Sequence, residues 1–416
     1  MHKVKSLVLL ILIFLLANNN LSIPCTVFFA TDGIIVLGGN NEDWSDPNTK
    51  FWFIPSVEGK HGWIKFGFAG GFPQGGMNDQ GLFWDATACS YLEMPYSEAN
   101  KEKFTGSLMQ KVMEECSTVE EARLVFQDDY CDDQYRAQYL IGDRFGNTII
   151  VEGDSIISNS SNYQVMTNFY HSHPELGGYP CWRYEKANEL LNNHNGISEF
   201  LFGYILAATH QEGKYPTQYS QIYNLKDNII YLFYFHNFDE MIVIKLNQEL
   251  NRGARSYNLP ALFSKIQVLS PEDEQVINSS SITFSWRGRK SSDYELLYST
   301  DSSFTIYNTT SIASPDFPIS INVLLSSSFL GILLIAGFAM RDRSKKFLMI
   351  VSIVMLASTS CSEQIVAPEE SDVVDFSTTV NNLESNRTYY WKIVASPQSS
   401  KDFTSESLIR SFTTVN

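Results

Sequence analysis

Cys25 is the residue with the most chemistry open to it. It stands just behind an apolar leader and opens a strand-like run, Cys25-Thr26-Val27-Phe28-Phe29-Ala30. A cysteine freed at a chain's amino terminus carries two reactive groups. The thiol can attack a carbonyl, and the α-amine, with a reference pKa of about 8, can take the thiol proton. No histidine base is then required, and His171, His173 and His210 lie in no motif that would supply one. Gly38-Gly39-Asn40-Asn41-Glu42-Asp43-Trp44 follows at hairpin distance. A return strand there brings Asp43 back beside Cys25, where a carboxylate can orient the amine toward the sulfur. The reaction on offer is acyl transfer through a thioester.

The stretch from Cys25 to Trp44 resembles the opening of the choloylglycine hydrolase and penicillin V acylase family, which are amino-terminal-nucleophile hydrolases of linear amide C–N bonds. The resemblance continues in order downstream. Gly76-Met77-Asn78-Asp79-Gln80-Gly81-Leu82 is similar to the family's GMNExGL turn, and Val165-Met166-Thr167-Asn168 to its LTN segment. Trp182-Arg183-Tyr184 is similar to its SRF/SRY segment, and Pro216-Thr217-Gln218-Tyr219-Ser220 to the start of its closing strands. It implies Cys25 as nucleophile with its own α-amine as base, and Asp43 as the group that orients that amine. It also implies Asn168 as an oxyanion-hole amide and Arg183 as a cation that favours the thiolate.

Two positions depart from the family pattern. The arginine usual in its GRNxD turn is Asn40 here. The second oxyanion position, often Asn or Tyr, is matched by Ala86-Thr87-Ala88, so only a backbone N–H, that of Ala88, is expected to serve. Both differences point away from bile salts and penicillins as substrates. Asn78 reads as a turn residue.

These residues need a scaffold. Residues 25–253 read as one α+β unit, for which the resemblance implies a four-layer αββα fold. Thr26–Leu37, Gln138–Glu152 and Ile229–Leu246 are rich in Val, Ile, Phe and Tyr, as strands are, and Asp32-Gly33 marks a hairpin turn. Helical patterns run over Thr105–Cys116, Thr118–Phe126 and Arg183–Asn193. The aromatic segment Phe51–Trp63, with Phe66, Phe68 and Phe72, is a candidate lining for an acyl pocket.

The chain begins with a targeting pattern: a basic start over Met1–Lys5, an apolar run from Ser6 to Ala17, then Asn18-Asn19-Asn20. Pro24 disfavours simple cleavage at Cys25. A cut between Ala17 and Ser22 is expected instead, with the thiol releasing the short propeptide. Residues 1–24 are thus signal and propeptide, and the protein is expected on the extracytoplasmic face of a membrane. Of six cysteines, Cys89, Cys116, Cys131 and Cys181 remain once Cys25 and Cys361 are set aside, and four cysteines allow three disulfide connectivities.

Beyond Pro260 the chain turns Ser/Thr-rich with short alternating runs. Residues 264–312 and 370–416 resemble the halves of a fibronectin type III-like β-sandwich, with Trp286 and Trp391 as core residues. Between them, Ile319–Met340 is free of charge and long enough to span a membrane as a helix at about 1.5 Å per residue. Arg341, Arg343, Lys345 and Lys346 follow, then a shorter apolar run to Ser360, so 319–361 reads as a transmembrane hairpin with a cytoplasmic loop. Leu356-Ala357-Ser358-Thr359-Ser360-Cys361 looks like a bacterial lipoprotein signal, which makes Cys361 a lipidation candidate.

A net charge of −16 excludes nucleic-acid binding through phosphate neutralisation. No cofactor fingerprint or metal motif appears, so no cofactor is expected. The reading is an exported amidohydrolase acting on a small N-acyl amide. The alternatives are an acyltransferase using the same acyl-enzyme, and a membrane-anchored binding protein with a degenerate site.

Overall fold

The structure is a computed structural model and describes residues 25–92, 101–153, 155–312, 372–400 and 402–415. The leader before Cys25, the apolar segment 319–360 and Cys361 lie outside these residues. Among the described residues no helix is long and apolar enough to cross a membrane.

Two antiparallel sheets face each other. β1 (Thr26–Thr31) and β2 (Val36–Asp43) form a hairpin whose turn supports itself. Asp32 Oδ1 accepts from the backbones of Ile34 and Ile35 at 2.9 and 2.7 Å, and Gly33 takes a φ of +87°, a region side chains avoid. Tyr163–Met166 flanks β1, and Thr217–Asn224 flanks β2. The facing sheet contains β3 (Thr49–Ile54), β4 (Trp63–Phe68), β5 (Pro73–Asn78) and β6 (Phe83–Ala88), continued by Ala137–Gly142 and closed at its far edge by Arg255–Asn258. Aromatic side chains fill the space between the sheets, among them Phe29, Phe51, Phe66, Phe83 and Tyr223. Two glycines in β2 let rings lie flush on both of its faces. A Cβ on Gly38 would meet the Phe83 ring at 2.6 Å, and one on Gly39 would meet Phe28 at 2.6 Å.

Helices close both outer faces. Leu108–Glu115 and Val119–Asp128 pack Leu108, Val112 and Phe126 against Trp63 and Trp84 of the second sheet. The second of these starts at a capping box, with Thr118 and Glu121 satisfying each other's backbones. Trp182–Asn192 and Glu199–Thr209 pack Ala187, Leu191 and Phe202 against Phe28 and Leu37 of the first sheet. The architecture is the expected four-layer αββα arrangement, two facing sheets between two helical layers.

A second core forms around Trp286 and Trp391, both fully buried. Gln267–Ser270, Ile282–Arg289 and Val373–Val380 make its three-stranded sheet, opposite Ser292–Ser299 and Arg387–Pro397. This sandwich is joined to the first unit through hydrogen bonds rather than through a linker alone. Asn237–Lys245 pairs with Ser405–Ser407, so the first sheet runs through both units. The buried Glu240 accepts from the backbones of Ser264 and Ile266 at 2.7 and 2.9 Å and also from the Ser405 hydroxyl. Phe403 then enters the inter-sheet core against Phe51, Phe53 and Tyr257. No disulfide joins the five described cysteines, Cys25, Cys89, Cys116, Cys131 and Cys181, so none of the three candidate pairings is made.

Candidate active site

The β1–β2 register decides what surrounds Cys25. Thr26 pairs with Asn41 and Val27 with Asn40, which carries Cys25 across to Glu42. Side chains alternate along a strand. Cys25, Asn40 and Glu42 therefore turn toward the facing sheet, while Thr26, Asn41 and Asp43 turn toward the helices.

On the inner side, Cys25 Sγ lies 3.8 Å from Glu42 Oε1 and 3.9 Å from the Asp43 carbonyl. Asn40, where the family pattern has arginine, donates to Gln221 at 3.3 Å and to Glu42 at 3.5 Å. Asp85 of β6 is also buried here, over Gly75, where an added Cβ would lie 2.1 Å from its carboxylate. Burial and then the charge of Asp43 push Glu42 up to about 8. Burial and then Glu42 push Asp85 well above the usual carboxylate range, so the two acids hold at least one proton between them near neutrality. The thiol is also raised, first by burial and then by Glu42 and Asp43. Its resting form is S–H.

On the outer side, the cysteine's backbone is clamped. Its nitrogen donates to Asn168 Oδ1 at 2.7 Å. Arg183, 4% exposed at the start of its helix, donates to the Cys25 carbonyl, to Thr26 Oγ1 at 2.9 Å and to Asn168 Oδ1 at 3.0 Å. It also lies 3.7 Å from Asp43 Oδ2. Asp43 accepts from the Thr217 hydroxyl and from Gln211 Nε2 at 3.0 Å. Burial outweighs that ion pair and those bonds, and holds Asp43 up at about 7. The Asn168 amide donates to the Ala88 carbonyl at 2.9 Å, which ties the cysteine strand to the end of β6 in the other sheet.

The four residues expected to act together, Cys25, Asp43, Asn168 and Arg183, thus form one connected network, and Ala88 joins it through its carbonyl. Two contacts differ from the expected ones. The Cys25 nitrogen is bonded by Asn168, and the Asp43 carboxylate connects to the cysteine through Arg183, which holds the Cys25 carbonyl. Arg183 holds the cysteine's carbonyl, whereas the sulfur's neighbours are carboxylates. Glu42, Asp85, Gln211 and Thr217 were not singled out from the sequence. Strand parity alone would have found Glu42, because it faces Cys25 once the hairpin is assumed.

Sγ opens onto a cavity of about 380 Å³ bounded by Glu42, Trp44, Phe68, Phe72, Trp84 and Tyr139. Of the aromatic residues read as pocket candidates, Phe68 and Phe72 line it. Phe51, Phe53 and Phe66 instead fill the inter-sheet core, and Trp63 lies under the helices. Asn78 is structural, its Oδ1 accepting from Gln80 and Leu82 and its amide donating to the carbonyls of Met113 and Cys116.

Residues 31–196 match the family described as acyl-coenzyme A:6-aminopenicillanic acid acyl-transferase. Among solved structures, the chain is similar to a single-residue variant of conjugated bile acid hydrolase from Clostridium perfringens. The identity is 17% over 56% of this chain and 97% of that one, with a TM-score of 0.45. Penicillin V acylase from Agrobacterium tumefaciens is 16% identical over 50% of this chain and 82% of its own, with a TM-score of 0.41. No curated protein matches the chain.

Proposed function

We propose that the chain is an exported amino-terminal-cysteine amidohydrolase that cleaves a linear, non-peptide C–N bond of an N-acyl substrate. The observation that carries this reading is the double hold on Cys25, its backbone fixed by Asn168 and Arg183 while its sulfur forms part of an apolar pocket wall. Removal of residues 1–24 turns the cysteine nitrogen into an amine. That amine takes the Sγ proton as the S–C bond forms and the carbonyl electrons move onto oxygen. Collapse of the tetrahedral intermediate breaks the C–N bond, and the ammonium returns its proton to the departing amine. Water, activated by the same amine, then cleaves the thioester and restores the thiol. Asn168 and the Ala88 N–H are the donors proposed for the oxyanion. Arg183 and Asp43 keep the cysteine backbone in register.

The pocket's aromatic lining suits an apolar acyl group. Glu42 in its wall, beside the sulfur, favours substrates without an anion near the scissile bond. Cys25→Ala is expected to retain the propeptide and to abolish hydrolysis of N-acyl amides of graded acyl length. Amino-terminal sequencing of active protein that finds residues before Cys25 would refute the assignment. A second reading, transfer of the acyl group to an amine, is favoured by the description of the matching family. Product analysis with and without an added amine acceptor separates the two. The apolar composition of 319–360 supports membrane anchoring, and the residues before Cys361 support lipidation there, which mass spectrometry of membrane-extracted protein tests. The two Trp-centred sheets support the fibronectin type III-like reading of 264–312 and 370–416.

A further inference from the structure

His210, Glu212 and His236 converge beyond the Cys25 site, at one end of the first sheet. His210 caps the helix Glu199–Thr209, and its Nδ1 lies 2.6 Å from the Ala207 carbonyl. That nitrogen therefore carries the proton, and Nε2 keeps its lone pair. Nε2 lies 3.7 Å from Glu212 Oε1. His236 sits at the tip of the hairpin joining Ile229–Tyr234 to Asn237–Lys245. Phe235 and His236 there take φ values of 43° and 63°, a left-handed pair that usually calls for Asn and Gly. The tip is pinned, with the Phe235 N–H donating to the Gln218 carbonyl at 3.1 Å and its ring stacked on His236 at 4.7 Å. The His236 ring has the Gln211 backbone as a hydrogen-bond neighbour, while its Nε2 is buried and has no hydrogen-bond partner.

One donor atom from each of the three residues lies within 4.8 Å of the others. Two imidazoles and a carboxylate form a donor set suited to zinc, with bonds of about 2.0–2.2 Å. A tetrahedral ion at that length sets its donors about 3.3 Å apart. Closure of about 1.5 Å is then enough, and the Glu212 side chain, 80% exposed, is free to swing. Backbone neighbours at Ala207 and Gln211 orient both rings, as the outer contacts of metal-bound histidines do. We propose that His210, Glu212 and His236 bind one Zn²⁺ ion, with solvent completing its coordination. Gln211 lies between two of the ligands. Its side chain donates to Asp43 at 3.0 Å and its N–H to the Thr217 hydroxyl at 2.8 Å. The ion would therefore brace the loop that holds Asp43, without touching substrate.

The test is titration of the purified full-length chain with Zn²⁺ by calorimetry and with Co²⁺ by absorption. One equivalent of Zn²⁺ is expected. Glu212→Gln, at an exposed position, should weaken it at least tenfold. His236→Asn, which tolerates the left-handed backbone, should do the same. The Co²⁺ spectrum should lack a sulfur charge-transfer band, a necessary control because the described cysteines form no disulfide. A sulfur band, no binding, or a loss below tenfold in Glu212→Gln would overturn the site. Thermal melts of both variants in EDTA that match wild type establish that the loss is not unfolding.

Discussion

Glu42 faces Cys25 across the β1–β2 hairpin, with its carboxylate oxygen 3.8 Å from the sulfur. The proposed attack by Cys25 is workable only if the acid opposite it is neutral, and burial holds Glu42 up at about 8. Glu42→Gln preserves shape and removes the ionisation. The variant should match wild-type kcat/KM near pH 6.5 and stay active at pH 9, where ionised Glu42 depresses the wild type. Superimposable pH–rate profiles would refute a role for this acid.

The same acid pair predicts a stability profile. Glu42 and Asp85 have folded-state values above their unfolded ones. Below about pH 4, both states are protonated and the pair contributes little. From there to about pH 8 the unfolded chain releases protons that the folded chain keeps, so stability falls as pH rises. Asp85→Asn should therefore raise Tm at pH 8 and leave it nearly unchanged at pH 4, as read by differential scanning calorimetry.

Arg183 and Asp43 form a buried pair. Arg183→Met strands the carboxylate, which costs about 3–5 kcal/mol when it is ionised. Asp43 is held at about 7, so the loss measured by urea unfolding should be larger at pH 8 than at pH 5. The double variant Arg183→Met/Asp43→Asn should lose less than the two single variants summed.

Asn168→Leu removes the acceptor for the Cys25 nitrogen and the tie to Ala88. A rate loss of about 10²–10³ is expected, the size seen when one oxyanion donor is removed. Single-turnover thioester formation should fall with it, while far-UV circular dichroism stays unchanged.

Phe403→Ala empties part of the inter-sheet core from the sandwich side, and such truncations cost about 3–5 kcal/mol. The wild-type chain should melt in one calorimetric transition. The variant should melt at lower temperature with the two units partly uncoupled.

Much of this was readable from the sequence, and the reason lies in local signals. Asp32-Gly33 announces the hairpin, Thr118 and Glu121 announce a helix start, and the ordered segments of family resemblance carry Cys25, Asp43, Asn168 and Arg183. What was not readable depends on depth or on distant packing. The helix Glu199–Thr209 is apolar nearly all round, so it shows no helical period. Phe51 and Phe66 look no different in sequence from Phe68, yet register sends them to the core and Phe68 to the pocket. The docking of Phe403 and Ser405–Ser407 onto the first unit has no local signature, because it joins segments far apart along the chain.

That joint governs the order in which the molecule can be completed. The strand Asn237–Lys245 emerges from synthesis long before Ser405–Ser407 can cover its edge. Until then the first sheet presents open backbone donors and acceptors, the kind of edge that recruits foreign strands. A chain cut after the first unit would keep that edge permanently and lose Phe403 from its core, so it should aggregate. The sandwich would therefore shield the first unit's open edge, and all of the chain between its strands must be made before that protection arrives.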